Sequence, residues 1–242
     1  MAFFGGPRPR VFAHRGLHTN YPENSRGAFR AAVDAGVTYI ETDVVASRDG
    51  IAMICHDLDL DRVAGIRAAV GDFTAAELAN VDLGGEGFIS LRQALVEFPT
   101  TRFNIDVKDP RAIADVTASI RDASAPDRVL VSSFSAARRR AALADLPGVA
   151  SSASSTEFVR IFAAVRLGLT PPLPRIQALQ IPSSVNGIPT VTRALLERYH
   201  RLGLEVHVWT INDESEIRRL VELGVDGIVS DRADIALRAI AS

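Results

Sequence analysis

The chain has 242 residues, a length that accommodates one domain or two at about 100–200 residues each. Hydrophobic residues make up 47% and charged residues 23%, which is close to the average for soluble globular proteins and excludes a disordered, collagen-like or disulfide-built chain. The 27 basic and 29 acidic residues give a formal net charge of −2, so no net field draws the chain onto nucleic acid or an anionic membrane.

Short β-branched runs alternate with segments of helical periodicity, which predicts successive βα units and a parallel sheet. Strands are predicted at 10–14, 37–44, 102–107, 128–132, 149–152, 178–181, 205–209 and 226–230. Helices are predicted at 25–35, 91–98, 111–123, 136–144, 156–167, 192–202, 214–223 and 233–239. Eight units in 242 residues give about 30 residues per unit, which is typical of a (β/α)8 TIM barrel.

An open, doubly wound α/β sheet is the competing architecture. Its nucleotide-binding versions carry Gly-x-Gly-x-x-Gly or Gly-x-x-x-x-Gly-Lys-Ser/Thr after a strand, and neither motif follows a predicted strand here. We therefore expect a single barrel domain over 1–242.

One segment interrupts the βα alternation. Residues 46–54 are predicted to form a hairpin arm that turns at Asp49-Gly50. Residues 57–89 have few long periodic segments and are rich in Gly, Asp and Leu, which indicates an insertion in the barrel and not a second domain. Insertions of this kind lie on one face of a barrel and often help to bound a substrate.

No targeting or membrane-spanning segment is predicted. Residues 1–10 lack the apolar stretch and cleavage site of a signal peptide, and no apolar run reaches the length that spans a bilayer. The most apolar segment, 158–169, contains Arg160 and Arg166 and is interpreted as an amphipathic core helix, with membrane contact as the minor alternative. We expect a cytoplasmic protein without stable membrane insertion or nucleic-acid partner.

Acidic and basic residues gather near the ends of several predicted strands. Alternation places Glu41 and Asp43 on one face of the second strand and Asp106 and Lys108 on one face of the third, while His14 ends the first. Barrel enzymes carry their catalytic groups at this carboxyl-terminal end. Three carboxylates with few nearby cations repel one another, and oxygen ligands suit Mg²⁺ or Ca²⁺ better than zinc. A structural cluster paired with Lys108 is the alternative.

Cys55 is the only cysteine, so it forms no internal disulfide, and no cysteine cluster is available for zinc. It is either a nucleophile beside His56 or a small buried hydrophobe, and the second interpretation is favoured.

Several short motifs, taken in order, closely resemble the glycerophosphodiester phosphodiesterase family over about residues 10–238. They are His14-Arg15-Gly16, Pro22-Glu23-Asn24-Ser25, Glu41-Thr42-Asp43-Val44, Asp49-Gly50, His56-Asp57, Ser133-Phe134, Val208-Trp209-Thr210-Ile211-Asn212 and Gly224-Val225-Asp226-Gly227-Ile228-Val229-Ser230-Asp231. Each motif alone is a weak signal, and the ordered set is a strong one. The resemblance implies a (β/α)8 barrel with an insertion after its second strand.

The resemblance also implies an activity, the hydrolysis of glycerophosphodiesters to sn-glycerol 3-phosphate and an alcohol with a divalent cation. It implies that Glu41 and Asp43 are metal ligands and that His14 and His56 are the acid/base pair. Two histidines with ordinary pKa values near 6.5 can hold opposite protonation states around neutral pH. Arg15 would bind the phosphate.

The third strand departs from the family pattern. The family commonly has Glu-x-Lys at this position, with the Glu as a third metal ligand, whereas this chain has Asp106-Val107-Lys108. Asp is shorter by one bond, about 1.5 Å, so direct ligation by Asp106 and the choice between Mg²⁺ and Ca²⁺ stay open. Lys108 is expected to bind phosphate as a point charge.

Other residues carry weaker expectations. Phe134 and Trp209 either wall the glycerol site or pack in the core, and we assign them to substrate binding. Glu23 and Asn24 either orient the Arg15 loop or cap the following helix. Asp231 is expected to steady the last turn of the barrel.

The leading hypothesis is a metal-dependent glycerophosphodiester phosphodiesterase that acts on a small-molecule substrate. The alternatives are a lysophospholipase D-type enzyme, to which segment 158–169 would be relevant, and a non-catalytic phosphodiester-binding homologue. The sequence leaves open the head-group alcohol, the oligomeric state, which histidine is the acid, and whether water or the glycerol 2-hydroxyl attacks.

Overall fold

The computed structural model describes residues 3–241, and within them eight parallel strands form a nearly closed barrel. The strands of the chain are β1 (Arg10–His14), β2 (Tyr39–Ala46), β3 (Ala52–Ile54), β4 (Asp59–Leu60), β5 (Ile66–Ala69), β6 (Arg102–Val107), β7 (Val129–Ser132), β8 (Ala150–Ser151), β9 (Ala178–Ile181), β10 (Ser184–Val185), β11 (Ile188–Pro189), β12 (Glu205–Val208) and β13 (Gly227–Ser230). The order around the barrel is β8-β7-β6-β2-β1-β13-β12-β9. One isolated parallel bridge between Ser152 and Ala178 joins the two ends of this order, so the ring is nearly closed.

The helices cover the outside of this ring, except for two four-residue helices in the insertion, 61–64 and 75–78. They are α1 (Arg26–Asp34), α2 (Asp61–Ala64), α3 (Ala75–Leu78), α4 (Leu91–Glu97), α5 (Ile113–Asp122), α6 (Ala136–Leu143), α7 (Ser155–Arg166), α8 (Arg193–Arg201), α9 (Glu214–Leu223) and α10 (Ala233–Ala241). The predicted (β/α)8 barrel is therefore confirmed. Among residues 3–241, no helix has the length and apolar character needed to cross a membrane.

Short polar side chains set the points at which the outer helices begin. Ser25 accepts a hydrogen bond from the backbone of Ala28 at the start of α1, and Thr192 and Asp213 accept equivalent bonds at α8 and α9. Each bond satisfies a backbone N–H that has no partner inside its helix. Gly224 ends α9 with a φ of 99°, a conformation that costs glycine little.

The second strand differs from its prediction. It begins at Tyr39, two residues later than the predicted 37–44, because the N–H of Val37 still donates to Ala32 in the turn that ends α1. It continues to Ala46 because β3 pairs with it in antiparallel fashion, with Val44 opposite Ile54. The hairpin arm predicted for 46–54 is thus confirmed.

The insertion has its own small apolar cluster. Its short elements β4, α2, β5 and α3 pack over β2 and β3. The buried members of the cluster are Val45, Met53, Cys55, Leu60, Val70, Leu78, Leu83 and Phe88. This cluster holds the insertion against one side of the barrel mouth.

The two faces of the barrel strands differ in chemistry. Ile40 and Val44 on β2 and Ile105 on β6 point outward into the main core beneath the helices. Phe12 and Tyr39 belong to a smaller cluster inside the barrel near its amino-terminal end. Inward positions nearer the carboxyl-terminal end carry charged and polar groups, as alternation along the strands predicted.

Candidate active site

A cavity of about 560 Å³ opens at the carboxyl-terminal ends of the barrel strands. All the site residues predicted from the sequence line it: His14, Arg15, Glu41, Asp43, His56, Asp106, Lys108, Phe134 and Trp209. The chain therefore brings together side chains from positions that are almost two hundred residues apart. Their individual contacts indicate what the cavity can do.

His14 is the last residue of β1, and a carboxylate holds its inner ring nitrogen. Its Nδ1 lies 2.6 Å from Oδ1 of Asp231, the residue after β13, and its Nε2 lies 3.8 Å from Oε2 of Glu41. Asn212 donates from Nδ2 to the other oxygen of Asp231 at 2.8 Å. Burial opposes ionisation of Asp231, but the bonds from His14, His18 and Asn212 outweigh it and hold the pKa of this carboxyl well below its usual range.

His56 follows β3 and has the same arrangement with a different partner. Its Nδ1 lies 2.6 Å from Oδ1 of Asp57. Burial would raise the pKa of Asp57, but hydrogen bonds from His56 and Arg62 lower it below its usual value. A carboxylate at Nδ1 favours the tautomer with its proton on that nitrogen, so Nε2 is the atom available for proton transfer on each histidine.

Glu41 and Asp106 have carboxyl oxygens that lack partners. Oε2 of Glu41 and Oδ1 of Asp106 are buried and accept no hydrogen bond. Burial, reinforced by the charges of Asp43 and Asp106, raises the pKa of Glu41 well above its usual value. Burial also raises the pKa of Asp106. Unpartnered buried carboxylates of this kind are stabilised by a cation.

Lys108 is the cation that contacts Asp106 and the neighbouring Asp43. Its Nζ lies 3.0 Å from Oδ1 of Asp43 and 2.7 Å from Oδ2 of Asp106. Burial works against its charge, but the two carboxylates raise the pKa of Lys108 above its usual range. The ammonium group also lies 5.2 Å from the ring centre of Phe134. Lys108 is therefore a permanent positive charge on the floor of the cavity.

Arg15 is placed by an unusual loop. The backbone of Arg15 has a φ of 58°, and a side chain at Gly16 would approach the backbone of Ala28 to 2.8 Å, so the loop packs directly on α1. The guanidinium donates from Nη1 to Glu23 at 3.0 Å, and its Nε lies 3.5 Å from Oδ2 of Asp43. The His-Arg-Gly motif thus turns the arginine into the cavity.

Glu23 and Asn24 orient this loop and do not cap the helix. The cap of α1 is Ser25, whereas Glu23 binds Arg15. Asn24 donates from Nδ2 to Asp43 at 3.2 Å and accepts at its oxygen from Thr42 at 2.7 Å. Of the two alternatives, the structure supports the orienting one.

The donor set suits a divalent cation in its chemistry. Glu41 and Asp106 offer buried oxygens without partners, and carboxylate oxygens are the ligands that Mg²⁺ and Ca²⁺ prefer. Within residues 3–241, however, no three His, Cys, Asp or Glu side chains lie close enough together to form a ready-made metal site. The ligand set of Glu41, Asp43 and Asp106 therefore stays a prediction.

The other half of the cavity lining is apolar, although the ring of Phe134 also lies beside Lys108. Phe158 and Phe162 of α7 line it with ring centres 5.7 Å apart, and Trp209 lies 6.2 Å from the exposed ring of Phe134. The hairpin of β10 and β11 adds Ile188, which is 48% exposed. The predicted amphipathic helix has one apolar face: Ile161 and Val165 are buried in the core, and Phe158 and Phe162 on the same face pack against that core and also line the cavity.

Cys55 is buried beside the site and does not line the main cavity. Its Sγ donates to the carbonyl of Asp57 at 3.3 Å, and burial raises the pKa of the thiol to about 12. A thiol with so high a pKa carries almost no nucleophilic thiolate near neutral pH. The interpretation as a small buried hydrophobe fits this environment.

Sequence reasoning missed four features of the site. It assigned no contact to Asp57, none to Asn212 and none to Arg62, and it gave Asp231 only a role in the last barrel turn. Asp57 and Asn212 lie within the family motifs, and this position in the motifs was the available signal. In the structure Asp57 contacts His56, whereas Asn212 contacts Asp231. Arg62 belongs to the insertion and carried no such signal.

Three comparisons with known proteins agree with this arrangement. A model of the glycerophosphoryl diester phosphodiesterase family matches residues 14–235. A Mycobacterium tuberculosis protein named “Probable glycerophosphodiester phosphodiesterase 2” is 39% identical over 232 residues, covering 93% of this chain and 88% of the relative.

Solved structures resemble the chain over nearly its whole length. One is a phosphodiesterase of Oleispira antarctica in complex with the product sn-glycerol-3-phosphate, with a TM-score of 0.79 and 26% identity, covering 97% of this chain and 98% of the other. Another, a glycerophosphodiester phosphodiesterase of Agrobacterium tumefaciens, has a TM-score of 0.80 at 23% identity, with 96% of this chain and 99% of the other covered. The second likeness supports the fold alone.

Proposed function

This chain belongs to the glycerophosphoryl diester phosphodiesterase family, and we propose that it hydrolyses glycerophosphodiesters to sn-glycerol 3-phosphate and an alcohol. The observation that carries the proposal is the meeting of His14 and His56, each with a carboxylate 2.6 Å from Nδ1, in one cavity with Arg15 and Lys108. The product complex of the Oleispira antarctica relative supports the same reaction. We also propose that the whole chain is one domain, with residues 57–89 as its insertion.

The proposed mechanism begins with binding of the phosphodiester anion. Arg15 presents a planar guanidinium that matches two phosphate oxygens, and Lys108 adds a point charge on the same side of the cavity. Both cations lie in a cavity partly shielded from water, where they act more strongly on the charge that develops on the phosphate oxygens. Glu23 and Asn24 keep the Arg15 loop in position.

The two histidines move the protons. One accepts the proton of the attacking hydroxyl group, which belongs to water or to the glycerol 2-position, and the other donates a proton to the departing alkoxide. Attack by the 2-position forms a cyclic phosphate, which water then opens to give sn-glycerol 3-phosphate. Asp231 and Asp57 favour the Nδ1-protonated tautomer of their histidines, so the proton in each transfer is held at Nε2. An alkoxide is a poor leaving group, and the acid therefore contributes directly to bond cleavage.

We assign a divalent cation, Mg²⁺ or Ca²⁺, to Glu41, Asp43 and Asp106. The unpartnered oxygens of Glu41 and Asp106 support this assignment, as does the raised pKa that burial and mutual repulsion impose on Glu41. When bound, the ion would stabilise negative charge on the phosphate.

The test is a screen of glycerophosphocholine and glycerophosphoethanolamine with Mg²⁺, Ca²⁺ and Mn²⁺, read out as release of sn-glycerol 3-phosphate. We expect release that EDTA abolishes and that the missing cation restores. Direct titration of the EDTA-treated protein with each cation should show binding that E41Q weakens. Binding of the phosphodiester without hydrolysis under all three cations would instead indicate the non-catalytic homologue.

The apolar half of the cavity favours a second candidate, hydrolysis of lysophospholipids, which are glycerophosphodiesters that keep one acyl chain. Phe158, Phe162 and Ile188 offer a surface for such a chain beside the charged half. Each buried methylene contributes about fourfold to affinity.

The variant I188N separates the two candidates. If an acyl chain binds here, kcat/KM for monomeric lysophosphatidylcholine should fall about fivefold or more, while that for glycerophosphocholine stays unchanged. V96N is the matched control, because Val96 is 62% exposed on α4 and does not line the cavity. Equal effects on both substrates would remove the second candidate.

A further inference from the structure

Arg62 lies in the insertion, outside the cavity lining, and contacts two carboxylates that each hold a site residue. Its Nε donates to Oδ2 of Asp57 at 2.6 Å, and Nη1 and Nη2 donate to the two oxygens of Glu23 at 2.9 and 2.7 Å. The other oxygen of Asp57 contacts His56, and Glu23 also accepts from Arg15. One guanidinium therefore connects His56 and Arg15 through one intermediate on each side.

We propose that Arg62 is a positioning residue that fixes His56 and Arg15 relative to each other through Asp57 and Glu23. The inference rests on the proposed function, since it assigns Arg62 a part in the same reaction. His56 would transfer a proton and Arg15 would hold the phosphate, so their separation sets how the acid or base meets the reacting oxygen.

The local architecture places the two residues on different parts of the molecule. Arg15 follows β1 of the barrel, whereas His56 follows β3, which pairs with the barrel only through β2. Beside them, a second cavity of about 180 Å³ is lined by residues of both parts, among them Glu23, His56 and Arg62. Apolar packing is therefore incomplete where the Arg15 loop and the insertion meet, and the ion pairs of Arg62 bridge the gap.

Charge favours this bridge. Burial opposes ionisation of Glu23 and Asp57. Interactions with Arg62 and Arg15 nevertheless lower the pKa of Glu23, and hydrogen bonds from His56 and Arg62 lower the pKa of Asp57. Both are thus anionic acceptors over the neutral pH range. The planar guanidinium binds Glu23 in a bidentate manner while its Nε reaches Asp57, a pattern that lysine cannot reproduce because it has one nitrogen.

Arg48 is a matched control in the same part of the chain. It is exposed to a similar degree, with side-chain exposures of 54% for Arg48 and 49% for Arg62. Its guanidinium binds Glu77 at 2.9 Å and the carbonyl of Asp72 at 2.6 Å, and neither partner lines the catalytic cavity. R48Q therefore removes a comparable surface ion pair without touching the site.

The experiment measures kcat and KM for glycerophosphocholine, with the activating cation, in the wild type, R62Q, R62K and R48Q. We expect R62Q to lower kcat about 10- to 100-fold through His56 and to raise KM through Arg15. R62K should recover only part of either effect, and R48Q should stay within about twofold of the wild type. Thermal unfolding of all four should differ little, because the guanidinium is half exposed.

Two double variants test the route of the effect. In a D57N background, R62Q should lower kcat no further, and in an E23Q background it should raise KM no further. Losses that multiply in both backgrounds, or an R48Q loss equal to that of R62Q, would overturn the inference. If R62Q proves unstable, R62K carries the same comparison.

Binding of sn-glycerol 3-phosphate, measured by calorimetry, keeps the two proposals apart. We expect R62Q to weaken this binding through Arg15 even in a protein that does not turn over. An inactive wild type would contradict the proposed function alone, whereas an active wild type with unchanged R62Q kinetics and binding would contradict only the role of Arg62.

Discussion

The two histidines of the site have matching contacts but are held in place by different parts of the molecule. Each has its Nδ1 2.6 Å from a carboxylate oxygen. His14 ends β1, and its partner Asp231 directly follows β13, the strand that pairs with β1. His56 lies outside the barrel, between β3 and the insertion, and Asp57 is the first residue of the insertion.

The supports behind the two carboxylates differ in the same way. Asp231 is held by the neutral amide of Asn212, which also accepts from the backbone of Asp231 and is itself part of the barrel mouth. Asp57 is held by the charged side chain of Arg62, from the insertion. Pairing between barrel strands therefore places His14. His56 is placed by the pairing of β3 with β2, by the backbone bond from Cys55 to the carbonyl of Asp43, and by side-chain ion pairs. The comparison teaches that this barrel fixes one half of its site through its sheet and the other half through contacts that single substitutions can remove.

The largest expected effect is loss of either imidazole. H14A and H56A should each lower kcat by about 10²–10⁴-fold, because each removes one proton transfer, while the fold survives. The measurement is sn-glycerol 3-phosphate release together with circular dichroism.

His200 supplies the control for this prediction. It pairs with Asp226 at the opposite end of the barrel, 2.8 Å away, so H200N should keep its activity within about twofold. Full activity in the H14A/H56A double variant would refute the catalytic assignment.

Removing the two carboxylates tests directly how each histidine is held. D231N and D57N should each lower kcat about 10- to 100-fold, the effect of losing a carboxylate behind a functional histidine in comparable sites. Both amides can still hydrogen-bond, but neither favours the tautomer that leaves Nε2 free. Steady-state kinetics with one glycerophosphodiester check the prediction, and an unchanged kcat in either variant would mean that its histidine is oriented by other contacts.

Sequence reasoning found the barrel half of the site more completely than the inserted half. Alternation along β2 and β6 predicted that Glu41, Asp43, Asp106 and Lys108 would share the mouth, because period-two patterns fix which way a strand residue points. The family motifs supplied His14 and His56. The resemblance included the His56-Asp57 motif but did not indicate which residue contacts Asp57.

The remaining contacts depend on tertiary structure. Arg62 reaches Glu23 across 39 positions of sequence, and His14 reaches Asp231 across 217. The insertion has short elements without a clear period, so no pattern predicted the direction of Arg62. β2 begins two residues later than the sequence predicted for a related reason, because the turn after α1 extends to Val37.

The pH dependence of stability should also differ between the two histidine–carboxylate pairs. Burial opposes ionisation of both carboxyls. Hydrogen bonds nevertheless lower the pKa of each, with His14 as the main donor to Asp231 and His56 as the main donor to Asp57. The pKa of Asp231 is lowered more than that of Asp57. A carboxyl with a lowered pKa stabilises the fold above its ordinary pKa near 3.8 and loses this contribution as the pH falls. D231N should therefore lower the free energy of unfolding by about 1–2 kcal/mol at pH 7.

D57N should have the smaller effect at pH 7, and both differences from the wild type should shrink as the pH is lowered from 5 to 3. Urea unfolding of the metal-free protein at several pH values measures this. The ranking of the two carboxylates would be contradicted if D57N lowered the free energy of unfolding more than D231N does, or if either difference from the wild type grew in acid.

The smallest expected effect concerns the residue before His56. If Cys55 were a nucleophile, the inserted half would carry the bond-forming group and the two histidines would not be counterparts. Burial raises the pKa of its thiol to about 12, and Sγ donates to the carbonyl of Asp57. C55A should therefore keep kcat within about twofold and lower stability only by the loss of a small buried group.

Wild-type activity should also survive iodoacetamide at neutral pH, because little thiolate is present to react. A loss of activity in C55A with unchanged thermal unfolding would give Cys55 a chemical role that its geometry does not indicate.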